Sequence, residues 1–109
     1  MFGLQKKETL TDTGNTLQTV GVTILDASSA NAGGTLGDGT VEGQLKLIIA
    51  SDTTNTASVT VTNMADPGGS PASGEGTITF TADNGWIILM WVGDYWVSVA
   101  RDGANVSIT

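Results

Sequence analysis

The side chains that most often perform catalysis are missing from this chain. Its 109 residues include no histidine and no cysteine, so the commonest general base, the commonest transition-metal ligand and the thiol nucleophile are all absent. Hydroxyl groups, eleven acidic side chains and four basic ones remain for any chemistry. The composition therefore predicts a protein that is not an enzyme, with no catalytic residues and no cofactor.

The triplet Asp12-Thr13-Gly14 is the strongest catalytic candidate. It matches the active-site triplet of aspartic proteases, whose retroviral members are dimers of about this length and whose paired aspartates share a proton. The flanks differ from that family, because Thr11 stands where an apolar residue is expected and Asn15 where a small one is usual. A turn that precedes a strand explains the triplet as well, and the protease remains an alternative that Asp12→Asn would inactivate.

Two acidic segments and one glycine-rich segment are candidates for a metal or phosphate site. Residues 38–42 and 52–56 carry oxygen ligands of the kind that calcium uses, but neither has the spacing of an EF-hand loop. Residues 33–39 are rich in glycine, yet they contain no lysine and no helix signal follows them. We expect no metal site, solvated turns in the acidic segments, and a flexible surface loop in the glycine-rich one.

The charge of the chain limits its partners. Four basic residues against eleven acidic ones give a net charge of −7, which cannot neutralise a run of phosphates, so neither nucleic acid nor an anionic membrane is an expected partner. Charged residues make up 14% of the chain, where about 25% is usual, so the surface is cheap to desolvate when a protein covers it. The longest apolar run, residues 86–92, is far shorter than the roughly 20 residues of a membrane helix.

Strand signals recur along the chain because β-branched and polar residues alternate with a period of two. Val20, Val22 and Ile24 share one face of such a strand, and residues 58–62 and 77–81 show the same pattern. Apolar residues are more continuous in residues 45–49 and 86–92, which is typical of strands covered on both faces. Gly93 lies in a predicted hairpin turn over residues 92–95.

These patterns predict an all-β fold in one domain. We expect a β-sandwich or barrel of about seven or eight short antiparallel strands. The strands alternate with loops at residues 26–40, 52–56 and 66–76, which are rich in small and turn-forming residues. Strand patterning is clear only from about residue 9, so residues 1–8 are predicted to form an N-terminal arm and residues 9–109 the β domain.

Most of the aromatic surface is concentrated near the C-terminus. Trp86, Trp91, Tyr95 and Trp96 lie within eleven residues, and such clusters either fill a core or anchor an interface. A small domain has little core to fill. Both interpretations, core and subunit interface, remain open from the sequence.

The same region carries a resemblance to a known group of proteins. The segment Leu89-Met90-Trp91-Val92-Gly93-Asp94-Tyr95-Trp96-Val97 resembles the closing hairpin of small structural proteins of tailed bacteriophages, where it ends trimeric fibre or head-protein domains. Residues 8–17 and 35–40 are similar to segments of short virion proteins from marine phages. The resemblance transfers no catalytic residue.

The resemblance implies a non-enzymatic virion protein. It indicates a capsid decoration, or cement, protein that forms a homotrimer, binds the major capsid protein on the outer surface of the assembled head and stabilises it. A head-fibre, tail-fibre or receptor-binding subunit is the alternative, although the chain has no coiled-coil or collagen-like shaft. The N-terminal residues lack an export signal, so we expect synthesis in the host cytoplasm.

The N-terminal arm is the candidate for contact with the capsid. Phe2 and Leu4 are apolar, while Lys6 and Lys7 hold half of the basic charge of the chain. A segment of this kind can become ordered when it binds a coat subunit. A frayed terminus is the alternative explanation.

Overall fold

The computed structural model describes residues 6–65 and 74–109, and the described residues form ten strands and no helix. The strands are β1 (Lys7–Leu10), β2 (Asn15–Thr16), β3 (Gly21–Asp26), β4 (Ala32–Leu36), β5 (Leu45–Asp52), β6 (Ala57–Val61), β7 (Gly76–Phe80), β8 (Gly85–Trp91), β9 (Trp96–Arg101) and β10 (Val106–Ile108). Within these ranges, no helix is long and apolar enough to cross a membrane.

The strands form two five-stranded sheets that pack face to face. Sheet A has the strand order β1-β3-β5-β8-β9, and sheet B has the order β10-β7-β6-β4-β2. Apolar side chains from both sheets meet in one buried cluster, in which Ile48, Val59, Ile78 and Ile87 are completely inaccessible to solvent. The prediction of an all-β sandwich is confirmed.

Both sheets are mixed, which corrects the expected antiparallel arrangement. Strands β1, β3 and β5 are parallel neighbours in sheet A, and β2, β4 and β6 are parallel neighbours in sheet B. From β1 to β6 the chain alternates between the two sheets. The connection between two parallel strands of one sheet therefore passes through a strand of the other sheet, as β4 connects β3 to β5. Side chains alternate with the same period in both kinds of ladder. The sequence pattern therefore predicted the strands but not their relative direction.

The long apolar strands β5 and β8 are covered on one face only, which corrects the expectation that both faces are buried. In β8, Ile87 and Leu89 are inaccessible to solvent, while Ile88 between them is half-buried and points away from the core. The hairpin that joins β8 to β9 was predicted correctly: these strands are antiparallel, and the backbone N–H of Val92 donates to the carbonyl of Tyr95 at 3.0 Å.

Strand β4 occupies part of the segment that was expected to be a flexible glycine-rich loop. A Cβ atom added to Gly33 would collide with the carbonyl oxygen of Ser58, and one added to Gly34 with that of Asn15. Glycine is thus required here by the close approach of the neighbouring strands. Composition favoured a loop because glycine has a low strand propensity.

The β domain begins earlier than expected. Lys7 and Glu8, which were assigned to the N-terminal arm, belong to β1 and pair with Val22 and Thr23 of β3. The carbonyl of Lys6 also accepts a hydrogen bond from the N–H of Val22, at 2.8 Å. The sequence pattern did not predict this strand because most of its residues are polar, which its position at the edge of sheet A allows. Residues 1–5 of the predicted arm lie outside the described residues.

Candidate binding surfaces

Asp12-Thr13-Gly14 forms part of the turn between β1 and β2. The side-chain amide of Asn15 donates to both the backbone oxygen and the carboxylate of Asp12, at 2.9 and 3.0 Å. Gly14 has a φ of 82°, a left-handed conformation that glycine adopts without strain. These contacts give the triplet a structural role as a turn.

The two acidic segments also use their oxygens within turns. Asp38 accepts a hydrogen bond from the side-chain amide of Asn63 at 2.7 Å. Asp52 accepts one from the N–H of Thr54 at 2.8 Å, and this bond, followed by one from the Thr54 side chain, lowers the pKa of the Asp52 carboxyl. In the part of the chain that the structure describes, no three acidic side chains come close enough together to hold a metal ion.

The aromatic cluster is divided between the core and the surface. Trp91 and Trp96 are buried and pack edge to face, with ring centroids 5.5 Å apart, and the indole N–H of Trp96 donates to the carbonyl of Gly37 at 2.9 Å. Tyr95 is half-buried beside them in the hairpin. Trp86 is also half-buried, but it points outward from β8. Trp91 and Trp96 therefore belong to the core, whereas Trp86 lies on the outer surface of sheet A.

Of the four predicted arm residues, two can be placed. The side chains of Lys6 and Lys7 are exposed at the edge of sheet A, where their backbones are held against β3. Phe2 and Leu4 lie outside the described residues. Both lysines are thus available to a partner from a fixed position.

Lys46 was not singled out in the sequence, although it interrupts an apolar run. Its side chain is completely buried between the sheets, where the ammonium group donates to the carbonyl of Val20 at 3.2 Å and lies 3.9 Å from the carboxylate of Glu8. Loss of hydration lowers the pKa of Lys46 from 10.5 to about 8, although Glu8 opposes this shift. The pair connects β1 to β5 across the intervening strand β3.

Glu8 is fixed by further contacts. Its carboxylate accepts a hydrogen bond from the hydroxyl of Thr23 at 2.6 Å and another from the N–H of Gln18 at 2.9 Å. It remains partly exposed, with 24% of its side chain accessible to solvent. The group is a structural network in which every buried polar side-chain atom has a partner within the described residues.

The outer face of sheet A is apolar on four of its five strands, and we call this four-strand surface the apolar face; the edge strand β1 presents the exposed Lys7 and Thr9 beside it. Nine side chains of β3, β5, β8 and β9 point outward from the core and are half-buried by one another. They are Val22, Ile24, Leu45, Leu47, Ile49, Trp86, Ile88, Met90 and Val97. None of the nine carries a charge or a hydroxyl group. The strand register aligns them in rows, such as Val22, Leu47 and Ile88.

The outer face of sheet B has the opposite character, and we call it the hydroxyl face. Its outward side chains on β4, β6, β7 and β10 are Thr35, Ser58, Thr60, Thr77, Thr79 and Ser107. A groove of about 260 Å³ lies at its β2 edge and is lined by Thr13, Gly14, Gly33, Gly34, Thr35, Ser58 and Thr60. This groove offers hydroxyl and backbone groups to a polar ligand.

No protein family model matches the chain, and no curated protein matches it either.

Proposed function

We propose that this chain is a non-enzymatic structural protein of a bacteriophage virion, a decoration protein that binds the outer surface of the assembled head. The observation that carries the proposal is the apolar face. A large apolar surface on a folded domain marks a site of protein contact. The resemblance of residues 89–97 to phage structural proteins adds the virion setting.

A decoration protein must hold its contact surfaces rigidly, and the fold provides this. The apolar face lies on strands whose opposite sides form the core, so its side chains have fixed positions. The exposed Lys6 and Lys7 lie at the edge of the same sheet and, with the residues before them, supply the contact to the major capsid protein. We propose that the protein acts on the particle as a homotrimer.

The test uses phage heads from which the protein has been removed. Purified full-length protein is added to these heads and, separately, to free coat subunits, and its occupancy is measured by mass spectrometry. We expect binding to assembled heads and an increase in their melting temperature, with little binding to free subunits. Absence of binding to heads at micromolar concentration would disprove the proposal.

The lysine contact has a matched control. Lys6→Gln combined with Lys7→Gln removes two positive charges next to the arm and should weaken binding to heads most strongly at low salt, since screening already reduces such contacts at high salt. Thr77→Gln combined with Thr79→Gln introduces the same side chain on the hydroxyl face and should leave occupancy unchanged. Equal occupancy for both double variants would remove the lysines from the contact.

The groove on the hydroxyl face supports a second candidate, a receptor-binding subunit that recognises host glycans. Sugars are bound through hydroxyl and backbone groups, and the groove presents both. Binding to a glycan array that is lost in Thr60→Val would support this function. If Thr60→Val loses glycan binding but keeps its occupancy on heads, the two candidate functions depend on different surfaces.

A further inference from the structure

We infer that the apolar face is the contact surface through which copies of this chain associate with one another. The inference deepens the proposed function and rests on it for the virion setting, but its physical argument concerns the isolated protein.

The difference between the two outer faces is the first observation. Both belong to five-stranded sheets in one small chain, yet one face is built from aliphatic and aromatic side chains and the other from threonine and serine. A sheet that faces water normally alternates apolar and polar residues, as sheet B does. In sheet A, strands β3, β5 and β8 and the start of β9 instead carry mainly apolar side chains on both faces, and only β1 presents exposed polar residues, Lys7 and Thr9, on the outer face. The apolar face thus has the composition of a buried surface.

The residues around the apolar face extend it. Four large apolar residues are exposed in the described part of the chain, and three of them border this face. Val20 precedes β3, Val92 follows β8, and Val99 occupies the bulge in β9. Their exposed fractions are 37%, 39% and 53%. Exposed apolar residues are therefore concentrated where a partner would cover them.

The size of the face is sufficient for association. Four strands about 4.8 Å apart and about six residues long cover roughly 19 by 20 Å, or about 400 Å², which is the size of the largest apolar patch on a typical soluble monomer, and such patches are often functional. The bordering valines and the rim bring the surface toward the roughly 800 Å² that each partner buries in a stable complex.

The placement of the charges allows a second copy to be the occupant. The chain is strongly acidic, so two copies repel each other unless their carboxylates stay apart. Most of the acidic residues lie in connecting segments or at strand ends, as Asp38, Asp83 and Asp94 do, and not among the nine side chains of the apolar face. Two copies can thus meet by the nine side chains of this face without placing a carboxylate among them, while Asp26 lies at its border, two residues after Ile24 on the same side of β3.

Shape favours the same occupant. Two identical sheets have the same strand spacing and twist, so they can pack face to face about 10 Å apart, as the two sheets of a sandwich do. Association through the sheet edges is disfavoured, because β2 and β10 at the edges of sheet B have only two and three residues, β9 at one edge of sheet A is bulged, and β1 at the other has four residues including the exposed Lys7.

The first experiment compares Ile88→Lys with Thr79→Lys by light scattering and sedimentation over a range of concentrations. Both residues are half-buried on outward faces, of β8 and β7. We expect wild type and Thr79→Lys to have a multiple of the chain mass at micromolar concentration. Ile88→Lys should have the mass of a single chain, with the dissociation constant raised at least 100-fold. A wild-type protein that stays monomeric, or an assembly unaffected by Ile88→Lys, would overturn the inference.

A second measurement does not depend on whether the lysine variant folds. Trp91 and Trp96 are buried within the chain, so Trp86 is the tryptophan whose environment must change when copies separate. Dilution of the wild-type protein should shift its fluorescence to longer wavelength, and Trp86→Phe should abolish this shift. A spectrum that does not change while light scattering shows dissociation would place the contact elsewhere.

The two proposals fail in different ways. A protein that is monomeric at every concentration, but whose Ile88→Lys variant no longer binds heads, would assign the apolar face to the coat protein and overturn the inference alone. A protein that associates through this face but binds no head would support the inference and overturn the proposed function.

Discussion

Lys46 shows how one buried charge can control the pH dependence of the whole domain. Its pKa is about 8 in the folded protein and near the ordinary 10.5 in the unfolded chain. Between these values the folded state has lost a proton that the unfolded state keeps. Unfolding therefore takes up a proton, and the free energy of unfolding rises with pH across this window.

We expect Lys46→Met to remove this rise between about pH 8 and 10.5. At pH 7 the substitution should be neutral or stabilising, because it removes the cost of burying a charge and leaves Glu8 bonded to Thr23 and Gln18. Urea unfolding at several pH values measures both effects. Lys7→Met, which removes an exposed lysine from the same sheet, should keep the rise. A rise that persists in Lys46→Met would assign it to another group.

Gly39 provides a second test at a single residue. A Cβ atom there would lie 2.7 Å from the Cβ of Trp91, whose side chain is buried in the core. Gly39→Ala should cost about 1–3 kcal/mol of unfolding free energy, as overpacking does. Gly37→Ala is the matched control, since nothing lies within 4 Å of its Cβ position. Equal stability of the two variants would show that the Trp91 side chain can rearrange.

Strands β5 and β8 show what a sequence pattern can and cannot predict. Their apolar runs predicted strands in the right places, but a run of apolar residues is the same whether its outer face meets a second layer of the fold or another molecule. Likewise, alternation predicted β3, β6 and β7 without giving the parallel pairing of β3 with β5 or of β4 with β6. Pairing depends on contacts between distant segments, which local pattern does not encode.

The candidate surfaces were predicted in part for the same reason. The apolar residues of each strand could be identified one by one, and Ser58, Thr60, Thr77 and Thr79 were recognisable as an outer, polar set. The apolar face itself becomes visible only when β3, β5, β8 and β9 are placed side by side. Lys46 and Glu8 lie 38 residues apart in the sequence, and only the alignment of β1, β3 and β5 brings them together.

The alternation in β8 gives a test at the level of the strand. Leu89→Ala should cost about 2–5 kcal/mol, because Leu89 is completely buried in the core. Ile88→Ala should cost less than about 1.5 kcal/mol in the single chain, since Ile88 is half-buried on the apolar face. Denaturant unfolding at a concentration where the chains are separate measures both. Similar costs for the two variants would mean that both faces of β8 are covered within one chain.

At the scale of the whole molecule, the profile of the apolar face bears on the number of copies that meet. Its largest side chains, Trp86 and Met90, lie on the inner strand β8, while the flanking strands contribute Val22, Ile24 and Val97, of which only Ile24 is as large as Leu47 on β5. The face is therefore tall along its middle and low toward its sides. Two such faces packed directly together would touch in the middle and leave gaps at the flanks, which close packing disfavours.

Three copies around a threefold axis fit this profile better. Sheet A is about 24 Å wide when β1, which presents Lys7 and Thr9 at one flank, is counted with the four strands of the apolar face. Three such sheets that form the sides of a triangular prism lie about 7 Å from its axis at their middles, which is farther than the roughly 5 Å available when two sheets pack directly. Near the corners of the prism, adjacent sheets approach each other and leave room only for small side chains. The long side chains in the middle meet the first requirement and the short side chains of Val97 and Thr9 at the flanks meet the second, while the exposed Lys7 can extend from the corner into solvent.

We therefore predict that the assembly in solution contains three chains and that substitutions along the middle and the flank of the apolar face act differently. Leu47→Ala shortens a central side chain and should weaken association by opening a void at the axis. Val97→Leu enlarges a flanking side chain and should weaken it by overpacking a corner. The mass from sedimentation equilibrium gives the number of chains, and its dependence on concentration gives the strength of association. A wild-type mass of two chains would contradict the threefold arrangement. So would a Val97→Leu variant that associates more tightly than wild type, because two facing sheets with gaps at their flanks would gain from the larger side chain.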